Sequence, residues 1–227
     1  MKIAVLGTGI VGQTISAKLA QIGHAVIIGT RNLEETRART ESSPYGQPPF
    51  SVWLGENPGV QLGAFAEAAQ FGEVVINATN GVASLAALRQ AGEAHLNGKI
   101  LIDIANPLDF SHGMPPTLSV SNIDSLGEQI QRGFPQVKVV KTLNTVTASL
   151  MVNPGLVRKG DHTIFVSGND AAAKAQVCKW LGDWFGWKDI LDLGDITSAR
   201  GVEMYLPLWL RIWGALGTGI MNIRVVK

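Results

Sequence analysis

The first thirty-two residues, MKIAVLGTGIVGQTISAKLAQIGHAVIIGTRN, restrict the fold more than any other stretch. An apolar run, Ile3-Ala4-Val5-Leu6, meets a glycine turn, Gly7-Thr8-Gly9-Ile10-Val11-Gly12. Ile15, Leu19 and Ile22 then recur at helical spacing, Gly23 closes the segment, and Ala25-Val26-Ile27-Ile28 makes a second apolar run. The pattern predicts strand, phosphate loop, helix, strand, which is one βαβ half of a dinucleotide-binding fold. In such a loop Gly7 permits the tight turn, Gly9 lets the backbone approach a pyrophosphate, and Gly12 lets helix and strand pack closely. The amides opening the helix then face the anion.

The end of the second strand refines the ligand. A site for NAD usually carries Asp or Glu there, to hold the ribose 2′-hydroxyl. This chain reads Gly29-Thr30-Arg31-Asn32. A carboxylate would repel a 2′-phosphate, whereas a hydroxyl and a guanidinium bind it through charge-assisted hydrogen bonds. The residues therefore predict selectivity for NADP(H), against the plainer reading of Arg31 as a solvated loop cation.

The rest of the chain continues the alternation. Val60–Gly63, Glu73–Thr79, Lys99–Ile104 and Val137–Leu143 read as further strands, and Ala64–Phe71, Val82–Leu96 and Ser125–Arg132 as helices, the last with Ser125 as cap and Glu128 three residues on. Leu33–Thr40 reads as a short charged helix, residues 41–49 and 109–118 as loops, and Phe50–Leu54 as a segment of open type. Strand–helix alternation implies a parallel sheet covered on both faces: an α/β, Rossmann-type, doubly wound and mostly parallel architecture. From Val146 the character changes. This divides the chain into a nucleotide-binding core over 1–150 and a small C-terminal lobe over 151–227, with strands at His162–Gly168 and Asp189–Leu193 and helices over Asp170–Phe185 and from Thr197 to Ala215. Trp180, Trp184, Trp187, Trp209 and Trp213 crowd that lobe as core, subunit contact or cofactor wall.

Composition excludes several classes. Lys plus Arg (19) balances Asp plus Glu (18), so nothing in the charge suggests nucleic acid or a membrane surface. One cysteine, Cys178, leaves no disulfide framework or cysteine-rich metal site and reads as a buried thiol. His24, His95, His112 and His162 are scattered without metal-ligand spacing, and His24 is expected at the surface. Val202–Ile220 is apolar but carries Glu203, Pro207 and Arg211, which suits a buried or interface helix better than a membrane span. With no leader visible, a cytoplasmic protein is expected.

Ligands of a doubly wound sheet bind beyond the C-terminal strand ends. Those ends read Gly7-Thr8-Gly9, Gly29-Thr30-Arg31-Asn32, Asn77-Ala78-Thr79-Asn80, Asn106-Pro107 and Asn144-Thr145. Small amides and hydroxyls suit ribose, phosphate and a nicotinamide carboxamide; the alternative is that each Asn caps the helix that follows. There is no Ser-His-Asp set and no Tyr-x-x-x-Lys pair. Lys141 and Asn144 share the K-x-x-N spacing of β-hydroxyacid dehydrogenases, but at a strand end instead of on a helix. Nucleotide recognition without an obvious acid or base suits direct hydride transfer between two cofactors, governed by proximity and orientation.

The segments GTGIVGQTISAKLAQIGHAVIIGTRN, VVINATN, ILIDIANPLDF, VVKTLNTV and EMYLPLWLRIWGALGTG together resemble the NADPH-dependent coenzyme F420 reductase family. They are also similar to the cytosolic reductase domain of the six-transmembrane metalloreductases, although no membrane segments are seen here. The resemblance implies a Rossmann-like core with a small C-terminal lobe, often dimeric. It implies NADP(H) held at Gly7, Thr8, Gly9, Ile10, Val11 and Gly12, with its 2′-phosphate near Thr30, Arg31 and Asn32. It further implies a deazaflavin or flavin against the nicotinamide, with Asn77, Ala78, Thr79, Asn106, Pro107, Asn144 and Thr145 lining that site and no catalytic acid, base or metal. Asn32 stands where archaeal members tend to carry a second arginine, so the second substrate stays open among F420, FMN and FAD. Two other readings remain: a dehydrogenase of the β-hydroxyacid or imine type using Lys141 as proton donor, and an NADP(H)-binding sensor or assembly factor without turnover.

Overall fold

Period-two burial along the first strand shows why the sheet must be covered twice. In β1 (Lys2–Leu6), Ile3 and Val5 enter one apolar cluster and Ala4 and Leu6 enter another, all fully buried. Strands buried on both faces need helices on both sides. The computed structural model describes residues 1–42 and 48–226, so the loop expected at 41–49 has its central part, 43–47, outside the described residues.

The remaining strands are β2 (Ala25–Thr30), β3 (Val60–Ala64), β4 (Val74–Asn77), β5 (Ile100–Asp103), β6 (Leu108–Asp109), β7 (Thr117–Leu118), β8 (Lys138–Thr142), β9 (Thr163–Ser167) and β10 (Asp189–Asp192). Eight of them form one sheet in the order β10-β9-β8-β5-β4-β1-β2-β3. From β3 to β8 every pairing is parallel; β9 runs antiparallel to β8, and β10 is parallel to β9. The sheet is thus doubly wound and mostly parallel, and residues 151–227 add β9 and β10 to it. The order reverses at β1, between β2 and β4, the place where such sheets open a crevice.

One cluster lies under the helices Ile10–Gln21, Phe50–Glu56, Ala148–Val152 and Ala171–Trp180; Trp180, Trp184 and Trp187 belong to it. The Trp180 and Trp184 rings stack at 4.8 Å, and His24 meets Trp184 edge-on at 5.2 Å, so His24 is half-buried, not a surface residue. Cys178 is also half-buried. The second cluster lies under Phe65–Phe71, Gly81–Ala91 and Leu126–Gly133.

Several elements differ from expectation for local reasons. The single helix expected over Val82–Leu96 is two, Gly81–Ala91 and Glu93–Leu96, because Gly92 breaks it with a left-handed backbone (φ 87°). The 109–118 loop holds a short antiparallel ladder between β6 and β7. Phe50–Leu54 is helical, with Phe50 buried. The last helix is two pieces, Ala199–Met204 and Leu206–Leu216, divided just before Pro207, which has no amide to continue the bonding. In the second piece only Leu206 is buried. No described helix is long and apolar enough to cross a membrane.

Candidate functional site

The glycine loop is shaped by clashes that any side chain would make. Gly7 adopts φ +114°, and a Cβ there would lie 2.5 Å from the Ala78 carbonyl oxygen. A Cβ on Gly12 would lie 1.9 Å from the Gly7 carbonyl oxygen, so the third glycine first protects the loop itself; its nearest strand neighbour, Ile28, is 3.7 Å away. At Gly9 nothing lies within 4 Å of that position. Open space is what a pyrophosphate approaching the backbone needs, so the residues fit a dinucleotide. The helix Ile10–Gln21 has no side-chain cap and no acidic residue in its first turn, which leaves its first amides available to an anion. Gln13 Nε2 donates to the Thr8 carbonyl at 2.9 Å and fixes the loop.

At the end of β2, Thr30 is buried and its hydroxyl lies 2.7 Å from that of Thr36. Arg31 is exposed and lines a cavity of about 350 Å³ with Gly7, Thr8, Gly9 and Thr30. Arg39, absent from the sequence-based set, brings a second guanidinium: Nη1 is 3.4 Å from Thr8 Oγ1 and Nη2 is 3.2 Å from Thr36 Oγ1. Asn32 places its side-chain oxygen 3.0 Å from the Glu34 amide and 3.2 Å from the Glu35 amide, capping the helix Leu33–Arg37.

A second cavity, of about 300 Å³, adjoins the first: Ala78, Thr79 and Asn80 line both. Its walls include Ile10, Val11, Asn106, Asn144, Thr145 and, from the last helix, Leu206 and Trp209. Asn106 and Asn144 brace one another across the strand ends. Asn106 Nδ2 donates to the Asn144 carbonyl at 2.8 Å, and Asn144 Nδ2 donates to Asn106 Oδ1 at 2.9 Å. The turn that delivers Asn144 passes through Leu143 in the left-handed region (φ 61°), uncommon for a buried aliphatic residue. Two polar atoms on this wall, Thr145 Oγ1 and Trp209 Nε1, are buried without a partner. Buried donors without partners carry a desolvation cost that a ligand acceptor would remove.

Of the strand-end residues named from sequence, Gly7, Thr8, Gly9, Ile10, Val11, Thr30, Arg31, Ala78, Thr79, Asn106, Asn144 and Thr145 line one or both cavities. Gly12, Asn32, Asn77 and Pro107 stand behind them. Asn77 is fully buried: its Nδ2 donates to Asp103 Oδ1 at 2.8 Å, and its Oδ1 accepts from the Thr79 hydroxyl at 2.7 Å. Asn80 caps the helix Gly81–Ala91. Gly81 is a further constraint, since a Cβ there would lie 2.0 Å from the Asn106 carbonyl oxygen.

Lys141 has no solvent exposure and does not line either cavity. Its ammonium sits 2.9 Å from Asp103 Oδ2 and 2.9 Å from Glu203 Oε1, and it donates to the Ala105 carbonyl. Burial alone would push its pKa down; the two carboxylates overcome this and hold it above the ordinary lysine value. Asp103, Glu203 and the Ala105 carbonyl take up its three donor positions. Among the described residues no group of His, Cys, Asp and Glu could hold a metal ion.

The family model for coenzyme F420-dependent NADP oxidoreductases matches residues 2–107. A crystal structure from Arthrobacter sp. FB24, described as a candidate F420-dependent NADP-reductase, is 61% identical, covers 100% of both chains and superposes with a TM-score of 0.95. The chain belongs to this family. It is an NADP-dependent oxidoreductase. F420-dependent NADP reductase from Methanothermobacter marburgensis is 29% identical over 216 residues, 93% of this chain and 92% of that one. Rat metalloreductase STEAP3 is 27% identical over 213 residues, which cover 92% of this chain and 38% of that protein.

Proposed function

We propose that the chain passes hydride between NADP(H) and a flavin or deazaflavin carrier of the F420 kind. The observation that carries this is the second cavity: it continues from the dinucleotide cavity through Ala78, Thr79 and Asn80, and presents two orphan donors on a mainly apolar wall. A flat heteroaromatic ring with carbonyl acceptors suits apolar walls with a few placed donors. NADPH supplies the hydride.

Everything else is positioning. The loop Gly7–Gly12 would hold the pyrophosphate, Thr30 and Arg31 the 2′-phosphate with Arg39 beside them, and Thr79, Asn106, Asn144 and Thr145 the nicotinamide end. Trp209 and Leu206 would cover the acceptor and keep water from the transferring hydride. The fully engaged Lys141 favours this over a dehydrogenase needing a proton donor. The apolar helix Leu206–Leu216, with Leu208 and Leu216 more than half exposed, supports pairing with a second copy. A cytoplasmic setting, with its NADPH supply, belongs to the same reading.

The test is NADPH oxidation by the purified protein with F420, FMN, FAD or a ferric chelate as acceptor. Turnover with F420 or a flavin is expected. Tight NADPH binding with no turnover on any of the four would mean a sensor instead.

A further inference from the structure

Five side chains carry one buried polar chain from a residue lining the second cavity to the helix that leads into Leu206 and Trp209 of the same cavity. It starts at Thr79, which lines that cavity and donates to Asn77. Asn77 donates to Asp103, and Lys141 donates to Asp103 and to the carbonyl of Ala105, itself a lining residue. Lys141 also pairs with Glu203, on the helix Ala199–Met204 that leads directly into Leu206 and Trp209. Asn77, Asp103, Lys141 and Glu203 are each at most 1% exposed.

Glu203 has two further bonds. Its carboxylate accepts from the amides of Leu126 at 2.7 Å and Gly127 at 3.0 Å, the first residues of the helix Leu126–Gly133. Close approach depends on Gly127, where a Cβ would lie 3.1 Å from that of Ala199. One ammonium thus faces two carboxylates, and the remaining negative charge is offset by a helix N-terminus. Buried ion groups of this kind contribute little net stability against an apolar replacement, yet removing one member leaves uncompensated charge. What such a group does fix is geometry.

We propose that Lys141 and Glu203 are positioning residues that hold the C-terminal helix, and with it Leu206 and Trp209, at hydride-transfer distance from the strand ends. This rests on reading the second cavity as the acceptor site. The glycine loop and the Thr30–Arg31 end are outside the polar chain and Thr79, at its far end from Glu203, is the residue it shares with the dinucleotide cavity, so dinucleotide affinity should depend on Glu203 much less than acceptor binding does.

Lys141→Met leaves two buried carboxylates and can fail to fold. Glu203→Gln keeps a balanced Lys141–Asp103 pair and one acceptor oxygen, which can still serve the Gly127 amide and Lys141 while the new NH2 faces the Leu126 amide, and it is the primary variant. Three measurements are made on each protein: NADPH affinity by fluorescence titration, amide hydrogen exchange, and steady-state kinetics with F420. For Glu203→Gln the NADPH Kd should stay within about twofold, while exchange in residues 199–216 accelerates at least about tenfold with no matching change in Ile10–Gln21. The KM for F420 should rise, or kcat fall, by about tenfold or more. Uniformly faster exchange, or an NADPH Kd that rises as much as the F420 KM, would reduce the group to general stability and overturn the proposal. Unchanged exchange over 199–216 would overturn it too. If the wild-type protein turns over neither F420 nor a flavin, the acceptor reading fails, and binding and exchange still decide the role of the buried pair.

Discussion

Gly12→Ala separates two duties of the glycine loop that are usually treated as one. The added methyl would start 1.9 Å from the Gly7 carbonyl oxygen, where ordinary contact begins near 3.4 Å, so about 1.5 Å must be found by moving backbone. Neither partner is a flexible side chain: Gly7 is itself tied by its amide to the Gly29 carbonyl at 2.9 Å. Overpacking of this sort costs about 1–3 kcal/mol. For a chain of this size that lowers Tm by roughly 2–12 °C. Loop amides displaced by more than 1 Å also leave hydrogen-bond range of a phosphate, and losing two charge-assisted bonds of roughly 1.5–3 kcal/mol each weakens NADPH by about 10²-fold or more. Gly9→Val is the control. Its backbone (φ −75°, ψ 180°) suits any residue and its Cβ position is empty, so Tm should move by no more than about 1 °C while NADPH binding is lost. Calorimetry and fluorescence titration on both variants read the two quantities separately. A Gly12→Ala protein with wild-type Tm, or a Gly9→Val protein that binds NADPH normally, would refute the reasoning.

Arg31→Ala should weaken NADPH by about 10–100-fold, the loss of a charge-assisted phosphate contact, and leave NADH nearly unchanged; equal weakening of both would remove the 2′-phosphate assignment. Arg39→Ala should act in the same direction and more weakly, read by the same pair of titrations. Leu208→Glu with Leu216→Glu should give a monomer by light scattering if that helix joins two copies; a wild-type protein already monomeric would end that part of the reading. Arg132 donates to Asp124 and holds its carboxyl down to about 2. Because that value is depressed, the pair's contribution is present above about pH 4 and fades as pH falls toward 2. Arg132 is well exposed, so screening limits the contribution to about 1 kcal/mol: Arg132→Ala should lower stability by that much at pH 7 and by almost nothing near pH 2, measured by urea unfolding.

The sheet was legible because its strands are short apolar runs between glycine and polar turns, and local pattern decides such elements. Thr8, Arg31, Asn106 and Asn144 were legible as cavity-lining residues because a doubly wound sheet fixes where its crevice opens. Arg39 was not, since it follows a helix end and only folding returns it to Thr8. Asp103 read as an ordinary strand end and Glu203 as an interruption in an apolar helix. Their pairing with Lys141 spans distant segments, which no periodicity reports. The strand-end asparagines divided by role: Asn32 and Asn80 cap helices, while Asn77, Asn106 and Asn144 bond across strands. Sequence alone sets helix capping evenly against ligand contact, because both begin with an amide after an apolar run, and it carries no signal for bonds across strands.

The order of the parts along the chain also matters during synthesis. The glycine loop leaves the ribosome before Glu203, Leu206 and Trp209, which follow only after β10. A nascent chain therefore has its glycine loop before it has the Leu206 and Trp209 wall of the second cavity. Until Glu203 arrives, Lys141 can pair only with Asp103, and one flank of the cavity stays open to water. The first cavity can thus take shape before the second, and the last helix is the part that completes the second.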